Sequence, residues 1–120
     1  MDDISVDNII EIHEYAILRF GGLPGTRDKA TLEYLIFELG KEEDPIKKAA
    51  LVLHTIATRH PFMDGNMRTA FMAANNQISQ YGYLIKTSNG EVFQFVVLVA
   101  DNQKTLKDVE KWIRRYLMAI

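Results

Sequence analysis

The sequence predicts an all-α fold, a compact single-domain bundle of about six helices that spans residues 1–120. Apolar residues recur at spacings of three and four along most of the chain, which is the period of a helix with one buried face. A length of 120 residues suits one domain, and an apolar fraction of 48% is enough to form its core. No internal repeat, linker or low-complexity segment divides the sequence.

The first two helices are joined by a glycine-rich loop. An apolar stripe runs from Val6 to Phe20, and Gly21 ends the helix. Residues 21–25 are Gly-Gly-Leu-Pro-Gly, residue types that favour turns. A second helix, which Gly40 ends, is predicted from a second stripe: Leu32, Leu35, Ile36 and Leu39.

A polar loop separates the third helix from the fourth. Pro45 stands at a favoured first-turn position, and the third stripe runs up to His60, where Pro61 ends the helix. The fourth stripe runs from Met67 to Tyr81. The loop therefore connects two helix ends.

The segment 92–100 fits either a strand or a helix. Its β-branched and aromatic residues suit a strand, and Asn89-Gly90 has the form of a hairpin turn. Ser88 with Glu91 has the form of a capping box, and the apolar run is too continuous for a half-exposed strand. We therefore expect a buried fifth helix here.

The last helix is predicted from a related start signal, Thr105 followed by Asp108. Its inward-facing positions are expected to be Leu106, Val109, Ile113 and Leu117. Basic residues in and near this helix and the third are expected on solvated faces that form no patch: Lys47, Lys48, Lys104, Lys107, Lys111, Arg114 and Arg115.

Charge and composition exclude several classes of function. The net charge is −2 and the pI about 5.9, so we expect no nucleic-acid partner, because binding to phosphate backbones requires a basic excess. The absence of cysteine excludes disulfides, thiolate metal sites and thiol nucleophiles. The acidic N-terminus lacks a signal-peptide pattern and no stretch is long enough to cross a bilayer, so we expect a cytoplasmic protein with no membrane partner.

Residues 60–69, His-Pro-Phe-Met-Asp-Gly-Asn-Met-Arg-Thr, contain the residue types of a phosphate site. The start of a helix exposes backbone N–H groups without internal partners, and these attract anions. Gly65 permits close approach of a ligand to the backbone, Asn66 is expected to be the N-cap, and Arg68 adds a fork suited to phosphate oxygens. The segment therefore predicts a phosphate cradle.

Asp64 and His60 add metal and acid–base chemistry to this cradle. Asp64 offers a hard oxygen ligand for Mg²⁺ beside nucleotide phosphates, where few carboxylates are needed because waters complete the coordination. His60 is the natural general base for an attacking hydroxyl, because histidine is the side chain that most readily exchanges a proton near neutral pH. Each residue alone fits a helix end or an ordinary turn, and only the combination indicates catalysis.

Four other residues are expected to be structural. His13 lies on the first apolar stripe and His54 beside the third, and neither has a partner at metal-ligand spacing, so both are interpreted as structural or surface residues. Arg27 and Asp28 are interpreted as a helix cap and a surface or loop-bracing ion pair. Met67 equally fits the core face of the fourth helix.

The pattern His-Pro-Phe-x-Asp-Gly-Asn-x-Arg-Thr in residues 60–69 closely resembles the signature of the Fic/Doc family. Residues 21–28, with Leu32-Glu33, resemble the Doc (death on curing) type of that family. The resemblance implies the toxin of a toxin–antitoxin pair, a transferase that takes ATP as co-substrate with Mg²⁺ and modifies a protein hydroxyl. An external antitoxin is expected, because the sequence lacks the inhibitory motif Ser/Thr-x-x-x-Glu-Gly/Asn.

The same resemblance implies roles for individual residues. His60 would be the base, Asp64 the Mg²⁺ ligand and Phe62 a core anchor that fixes the loop. The catalytic set implied is His60, Asp64, Asn66 and Arg68. The nucleotide and phosphate contacts implied are Gly65, Asn66, Met67, Arg68 and Thr69.

Two positions differ from AMP-transferring family members, which usually carry Gly-x-Gly-Arg-x-x-Arg. Met67 replaces a small residue, and Phe71 stands where the second arginine would be. The missing arginine removes a phosphate clamp, and a long side chain at position 67 resembles the Doc type, which has lysine there and transfers a phosphoryl group. We therefore expect a kinase that arrests translation, with elongation factor Tu as the suggested target. An AMP-transferase is the alternative, and a non-catalytic protein-binding module is the alternative of another class.

Overall fold

Six α-helices and one short two-stranded sheet form the fold in the computed structural model, which describes residues 2–120. The predicted all-α class is confirmed, with a radius of gyration of 12.9 Å that is typical of a compact chain of this length. The elements are α1 (Val6–Phe20), α2 (Lys29–Lys41), α3 (Pro45–Arg59), α4 (Asn66–Ser79), β1 (Tyr83–Ile85), α5 (Asn89–Ala100), α6 (Leu106–Arg115) and β2 (Leu117–Ala119).

Helix α3 is the centre of the core, and α4 packs most closely on it. Both helices bury several alanines, whose small side chains let neighbouring helix backbones approach. The fully buried residues of the two helices include Ala49, Ala50, Ala57, Ala70, Ala73 and Ala74. Because α3 and α4 are fixed against each other, the loop between them, residues 60–65, has two rigid ends.

Helix starts follow the predicted capping chemistry in part. Thr105 and Asp108 form a complete capping box at α6. The Ser88 side chain accepts from the Glu91 N–H at 3.1 Å, so the helical interpretation of residues 92–100 is confirmed. The Glu91 side chain, however, accepts from the indole N–H of Trp112 at 3.0 Å, and only half of that capping box forms. This contact joins α5 to α6.

Three predicted helix ends are wrong. Helix α2 continues one residue past Gly40 to Lys41, and α4 ends at Ser79, before Tyr81. Leu117 is half-buried in β2 and pairs with Ile85 of β1 in an antiparallel register. Strands of three residues are too short to show an alternating pattern, so sequence periodicity could not reveal them.

Two burial predictions are also wrong. Helix α5 is not buried all round, because Phe93 is 63% exposed. Lys48, expected on a solvated face, is buried and its ammonium lies 2.7 Å from the Asp3 carboxylate. Burial of a charge is tolerated here because it is paired.

No helix in residues 2–120 is long and apolar enough to cross a membrane.

Candidate active site

The α3–α4 loop has a fixed and partly strained backbone. His60 caps α3 in the left-handed region with φ of 49°, a conformation that costs a non-glycine residue roughly 1–2 kcal/mol. Phe62, the residue expected to anchor the loop, is fully buried. Gly65 is also left-handed, with φ of 73°, and it precedes the first residue of α4. These residues turn the chain sharply and leave His60 half-buried beside the start of α4.

Residues 25–28 brace this loop by running antiparallel to residues 60–63. Thr26 and Phe62 form an isolated β-bridge. The backbone hydrogen bonds are Arg27 N–H to Pro61 O at 2.8 Å, Asp28 N–H to Pro61 O at 2.9 Å and Met63 N–H to Gly25 O at 3.0 Å. Two segments distant in sequence therefore form one rigid rim.

The side chains of Arg27 and Asp28 contact different partners and not each other. Asp28 is the N-cap of α2, as predicted, and accepts from the hydroxyl and the N–H of Thr31 at 2.8 and 3.2 Å. The Thr31 hydroxyl bond holds the pKa of Asp28 below its usual value, helped by the backbone bond. The guanidinium of Arg27 donates to the His60 carbonyl at 2.6 Å, and no Arg27–Asp28 ion pair forms in the described part of the chain. The ion-pair prediction is wrong, whereas bracing of the loop is observed.

Asp64 is held at the edge of the site by backbone N–H groups. One carboxylate oxygen accepts from the Gly65 N–H at 2.9 Å and the other from the Leu23 N–H at 3.2 Å. Gly22 lies so close that an added Cβ would be 2.8 Å from Oδ2 of Asp64. Each carboxylate oxygen can accept a further bond, so the group is oriented without being saturated.

Asn66 differs from its predicted role as N-cap. Gly65 occupies that position and Asn66 is the first residue of α4. The Asn66 side chain instead accepts from the Phe62 N–H and donates to the Phe62 carbonyl, both at 3.0 Å. The N-cap prediction is wrong because the turn at Gly65 directs the amide back across the loop. The side chain fixes the loop around Phe62.

The N-terminus of α4 consequently lacks a side-chain cap. The other five helices of residues 2–120 are capped by Ser5, Asp28, Asp44, Ser88 and Thr105. First-turn N–H groups without a cap carry partial positive charge and bind anions well. The predicted phosphate cradle therefore has unpartnered backbone donors at its centre.

The first turn of α4 places Met67 and Arg68 outward and Thr69 inward. Arg68 is exposed, and its guanidinium carbon lies 3.9 Å from the centroid of the Phe20 ring. Met67 is 36% exposed, so it is not part of the core. Thr69 is fully buried, and its hydroxyl has no partner in residues 2–120. The structure does not bring Thr69 to the predicted site.

A cleft of about 1090 Å³ opens at this turn. Its polar side is formed by His60, Asp64, Gly65, Asn66 and Arg68. Its apolar side comes from α1, α4 and α5 and includes Phe20, Phe71, Met72, Val92, Phe93, Val96 and Val97. The volume is large enough for a nucleotide, and a mainly apolar wall with a few convergent polar groups is typical of a small-molecule site.

A metal ion in this cleft would be coordinated by Asp64 and by the phosphates of a bound nucleotide. In residues 2–120 no group of three or more His, Asp or Glu side chains is placed to hold a metal ion. Mg²⁺ commonly needs only one or two protein carboxylates when phosphates and waters complete its shell. The single oriented carboxylate of Asp64 at the polar side of the cleft fits that donor set.

Several residues of α1 contact the site and were not assigned to it from the sequence, among them His13 and Phe20. His13 is 2% exposed, and it donates through Nε2 to the Asp64 carbonyl at 2.8 Å. Phe20 lies under Arg68. The structural interpretation of His13 is confirmed. Its position on the apolar stripe predicted burial but did not predict its contact with the loop of residues 60–65. His54 does not line the cleft, and burial lowers its pKa, with a smaller effect from Arg59.

The fold and the site define a class: a small helical domain whose uncapped helix start, arginine and carboxylate face a nucleotide-sized cleft beside a histidine. A sequence profile of the Fic/DOC family matches residues 3–78. The chain belongs to the Fic/DOC family, and the resemblance seen in residues 60–69 is confirmed.

Individual relatives fall into two kinds. The protein kinase doc of Escherichia phage P1 is 31% identical over 121 residues, which cover 96% of this chain and 95% of the relative. The protein adenylyltransferase Fic of Drosophila grimshawi is 30% identical over 110 residues, which cover 74% of this chain and 23% of the relative. The protein adenylyltransferase Fic of Drosophila melanogaster is 26% identical over 148 residues, which cover 92% of this chain and 30% of the relative. The chain thus spans less than a third of these adenylyltransferases.

Proposed function

We propose that this protein transfers a phosphoryl group from ATP to a hydroxyl of a protein target, as the toxin of a toxin–antitoxin pair. The observation that carries the proposal is the polar side of the cleft, where the uncapped start of α4 meets Arg68, Asp64 and His60. The relative that matches from end to end is named a protein kinase, which agrees with this reaction.

The phosphate grip comes from α4. The unpartnered first-turn N–H groups, including those of Asn66 and Met67, would donate to phosphate oxygens, and Arg68 would add a charged fork. Preorganised donors of this kind stabilise charge that develops in the transition state without further reorganisation. Gly65 contributes by leaving the backbone open to the ligand.

Asp64 would hold Mg²⁺. Bound there, the ion supplies positive charge beside the phosphate oxygens. The Gly65 and Leu23 N–H groups keep the Asp64 carboxylate oriented before any ligand arrives.

His60 would act as the general base. It takes the proton of the target hydroxyl as the hydroxyl oxygen forms its bond to the γ-phosphorus and the bond from that phosphorus to the β,γ-bridging oxygen breaks, which releases ADP. The Arg27 guanidinium on the His60 carbonyl fixes the backbone from which the imidazole extends. Positioning is the main contribution of the protein to such a reaction.

Phosphoryl transfer is favoured over AMP transfer by the side chains along α4. Among the described residues that line the cleft, Arg68 is the one arginine. Phe71 packs edge-on against Trp112, with ring centroids 6.3 Å apart, and offers no charge for a second phosphate group. Met67 adds bulk without charge.

AMP transfer is the second candidate. The Drosophila relatives named adenylyltransferases align over most of this chain, and His60, Asp64 and Arg68 suit attack at either phosphorus. Phosphoryl and AMP transfer differ in which phosphate faces the base, and a cleft of about 1090 Å³ is large enough for a nucleotide in either reaction.

The proposed partners are two proteins. A translation factor such as elongation factor Tu is the target that would explain arrest of growth, and this target would place the activity in the cytoplasm. A cognate antitoxin would bind over the cleft, whose apolar wall includes the exposed Phe93.

Magnesium-dependent ATP binding separates the enzyme from a non-catalytic binding module. We expect Asp64→Ala and Arg68→Ala each to weaken ATP binding, measured by calorimetry, by about tenfold or more, since each removes a charged contact. Lys107→Ala, a change at an exposed position of α6, is the control and should bind ATP normally. Equal binding by all variants, or none by the wild type, would favour a binding module.

Intact-protein mass spectrometry tests the reaction itself. Elongation factor Tu is incubated with this protein, ATP and Mg²⁺, and in parallel with the His60→Ala variant. A gain of one phosphate that disappears with His60→Ala is the expected result. A gain of one AMP would replace the kinase by the second candidate, and no change in the presence of ATP binding would exclude this target.

A further inference from the structure

One face of α1 forms the floor of the active-site loop. His13, Ile17 and Phe20 are spaced at i, i+4 and i+7, so they lie on one side of the helix. The Ile17 Cδ1 lies 3.2 Å from where a Cβ on Gly65 would stand, and Phe20 lies under Arg68. His13 is the polar member of this face and has the most specific contacts.

The His13 ring is fixed in both rotation and position. It stacks on the Phe62 ring with centroids 3.9 Å apart and planes within 5°. Its Nε2 lies 2.8 Å from the Asp64 carbonyl oxygen. Because a carbonyl can only accept, Nε2 must carry a hydrogen and donate it. A buried donor on a buried ring is thus aimed at one main-chain atom of the loop.

The bond acts on Asp64 through its backbone. The two carboxylate oxygens are held by Leu23 and Gly65, whereas the carbonyl of the same residue is held by His13. Together these contacts define the orientation of the peptide that joins Asp64 to Gly65, the residue that caps α4. Rotation of that peptide would move the carboxylate and the first N–H groups of α4 at the same time.

We propose that His13 is a positioning residue that sets the Asp64–Gly65 peptide and thereby the metal ligand and the phosphate-binding helix start. His13 is buried and does not line the cleft, so it acts through its contacts with Phe62 and Asp64. The consequence for nucleotide binding rests on the proposed function, whereas the ordering of the loop does not.

Two substitutions separate stacking from hydrogen bonding. His13→Phe retains a ring against Phe62 and loses the donor, whereas His13→Gln loses the ring and retains an N–H that can reach a carbonyl. His54→Phe is the matched control, because this half-buried histidine of α3 lies away from the loop. All variants are first compared by thermal unfolding to show that they fold.

The first readout is the NMR order parameter of the Gly65 amide in protein without ligand. In wild type and His54→Phe we expect about 0.85, the value of rigid backbone, and in His13→Phe a value below about 0.6. His13→Gln should lie between them. An unchanged Gly65 amide in a folded His13→Phe variant would overturn the proposal, whatever happens to the melting temperature.

The second readout is the affinity for ATP with Mg²⁺, measured by calorimetry. We expect about a tenfold loss in His13→Phe, the equivalent of one buried hydrogen bond, with partial recovery in His13→Gln. Wild-type affinity in His13→Phe would overturn the link to the nucleotide site. If the wild type itself binds no ATP, the proposed function fails, and the Gly65 order parameters still test His13 on their own.

Discussion

At the residue scale, the placement of Arg68 depends on an aromatic ring from another helix. Its guanidinium carbon lies 3.9 Å from the centroid of Phe20. The negative face of an aromatic ring attracts a guanidinium by about 0.5–1 kcal/mol at an exposed site. The contact with Phe20 restricts the Arg68 side chain before any ligand arrives. Without it, Arg68 would lose its rotamer freedom at the moment that phosphate binds. Phe20 therefore lowers the entropic cost of the proposed clamp.

Replacing Phe20 tests this contact. We expect Phe20→Leu to weaken ATP binding about two- to fivefold, which matches the energy of an exposed cation–π contact, and Phe20→Tyr to bind normally because it retains the ring face. Phe37→Leu is the matched control, since it removes a similar pair on α2, where the Lys41 ammonium lies 4.3 Å from the ring centroid. Tighter binding by Phe20→Leu would mean that the ring holds Arg68 away from the ligand.

At the element scale, the loop of residues 21–25 shapes the side of the site where Asp64 lies. Gly22 has φ of 115° and approaches Asp64 so closely that a Cβ would be 2.8 Å from Oδ2. Gly21, its neighbour, has φ of 87° and open space around it. Both positions demand a conformation that L-residues rarely adopt, but only one of them touches the carboxylate.

This difference gives a paired prediction. Gly21→Ala and Gly22→Ala should each lower the free energy of unfolding by roughly 1 kcal/mol or more through backbone strain, measured by urea denaturation. Only Gly22→Ala should also raise the Mg²⁺ concentration needed for ATP binding, because its methyl group displaces the Asp64 carboxylate. An equal effect of both substitutions on the Mg²⁺ requirement would contradict the role given to Gly22.

At the scale of the whole molecule, one half-buried histidine is expected to make stability depend on pH near neutrality. Burial lowers the pKa of His54 below its ordinary value of about 6.5, and the Arg59 charge adds to the effect. As the pH falls below about 6.5, the unfolded chain binds a proton that the folded chain does not yet accept. Stability is therefore complete above that pH and declines below it.

We expect His54→Gln to remove part of this decline. Urea unfolding of wild type and variant at about pH 7.5 and pH 5.5 should show a smaller loss for the variant. The cap carboxylates Asp28 and Asp108, whose pKa values are lowered by their hydrogen bonds to Thr31 and Thr105, lose their stabilising effect only near and below about pH 4. An identical decline in both proteins would assign the pH dependence to other groups.

The sequence by itself determined the presence of the helices, the family and the segment that carries the candidate site. Apolar periodicity is a local property, so α1, α3 and α4 could be recognised from their stripes. The segment 60–69 could be recognised because its residue types stand at fixed spacing, and the same spacing predicted a helix start suited to anions.

Only the tertiary structure decided how that segment is held. His13 and Phe20 lie on α1, and Arg27 lies in the next loop, more than 30 residues before the atoms that they contact. Asn66 turned back to Phe62 although its residue type suits an N-cap. Contacts between distant segments depend on how α1 packs against α4, and side-chain direction depends on backbone angles. Neither property is encoded in local spacing.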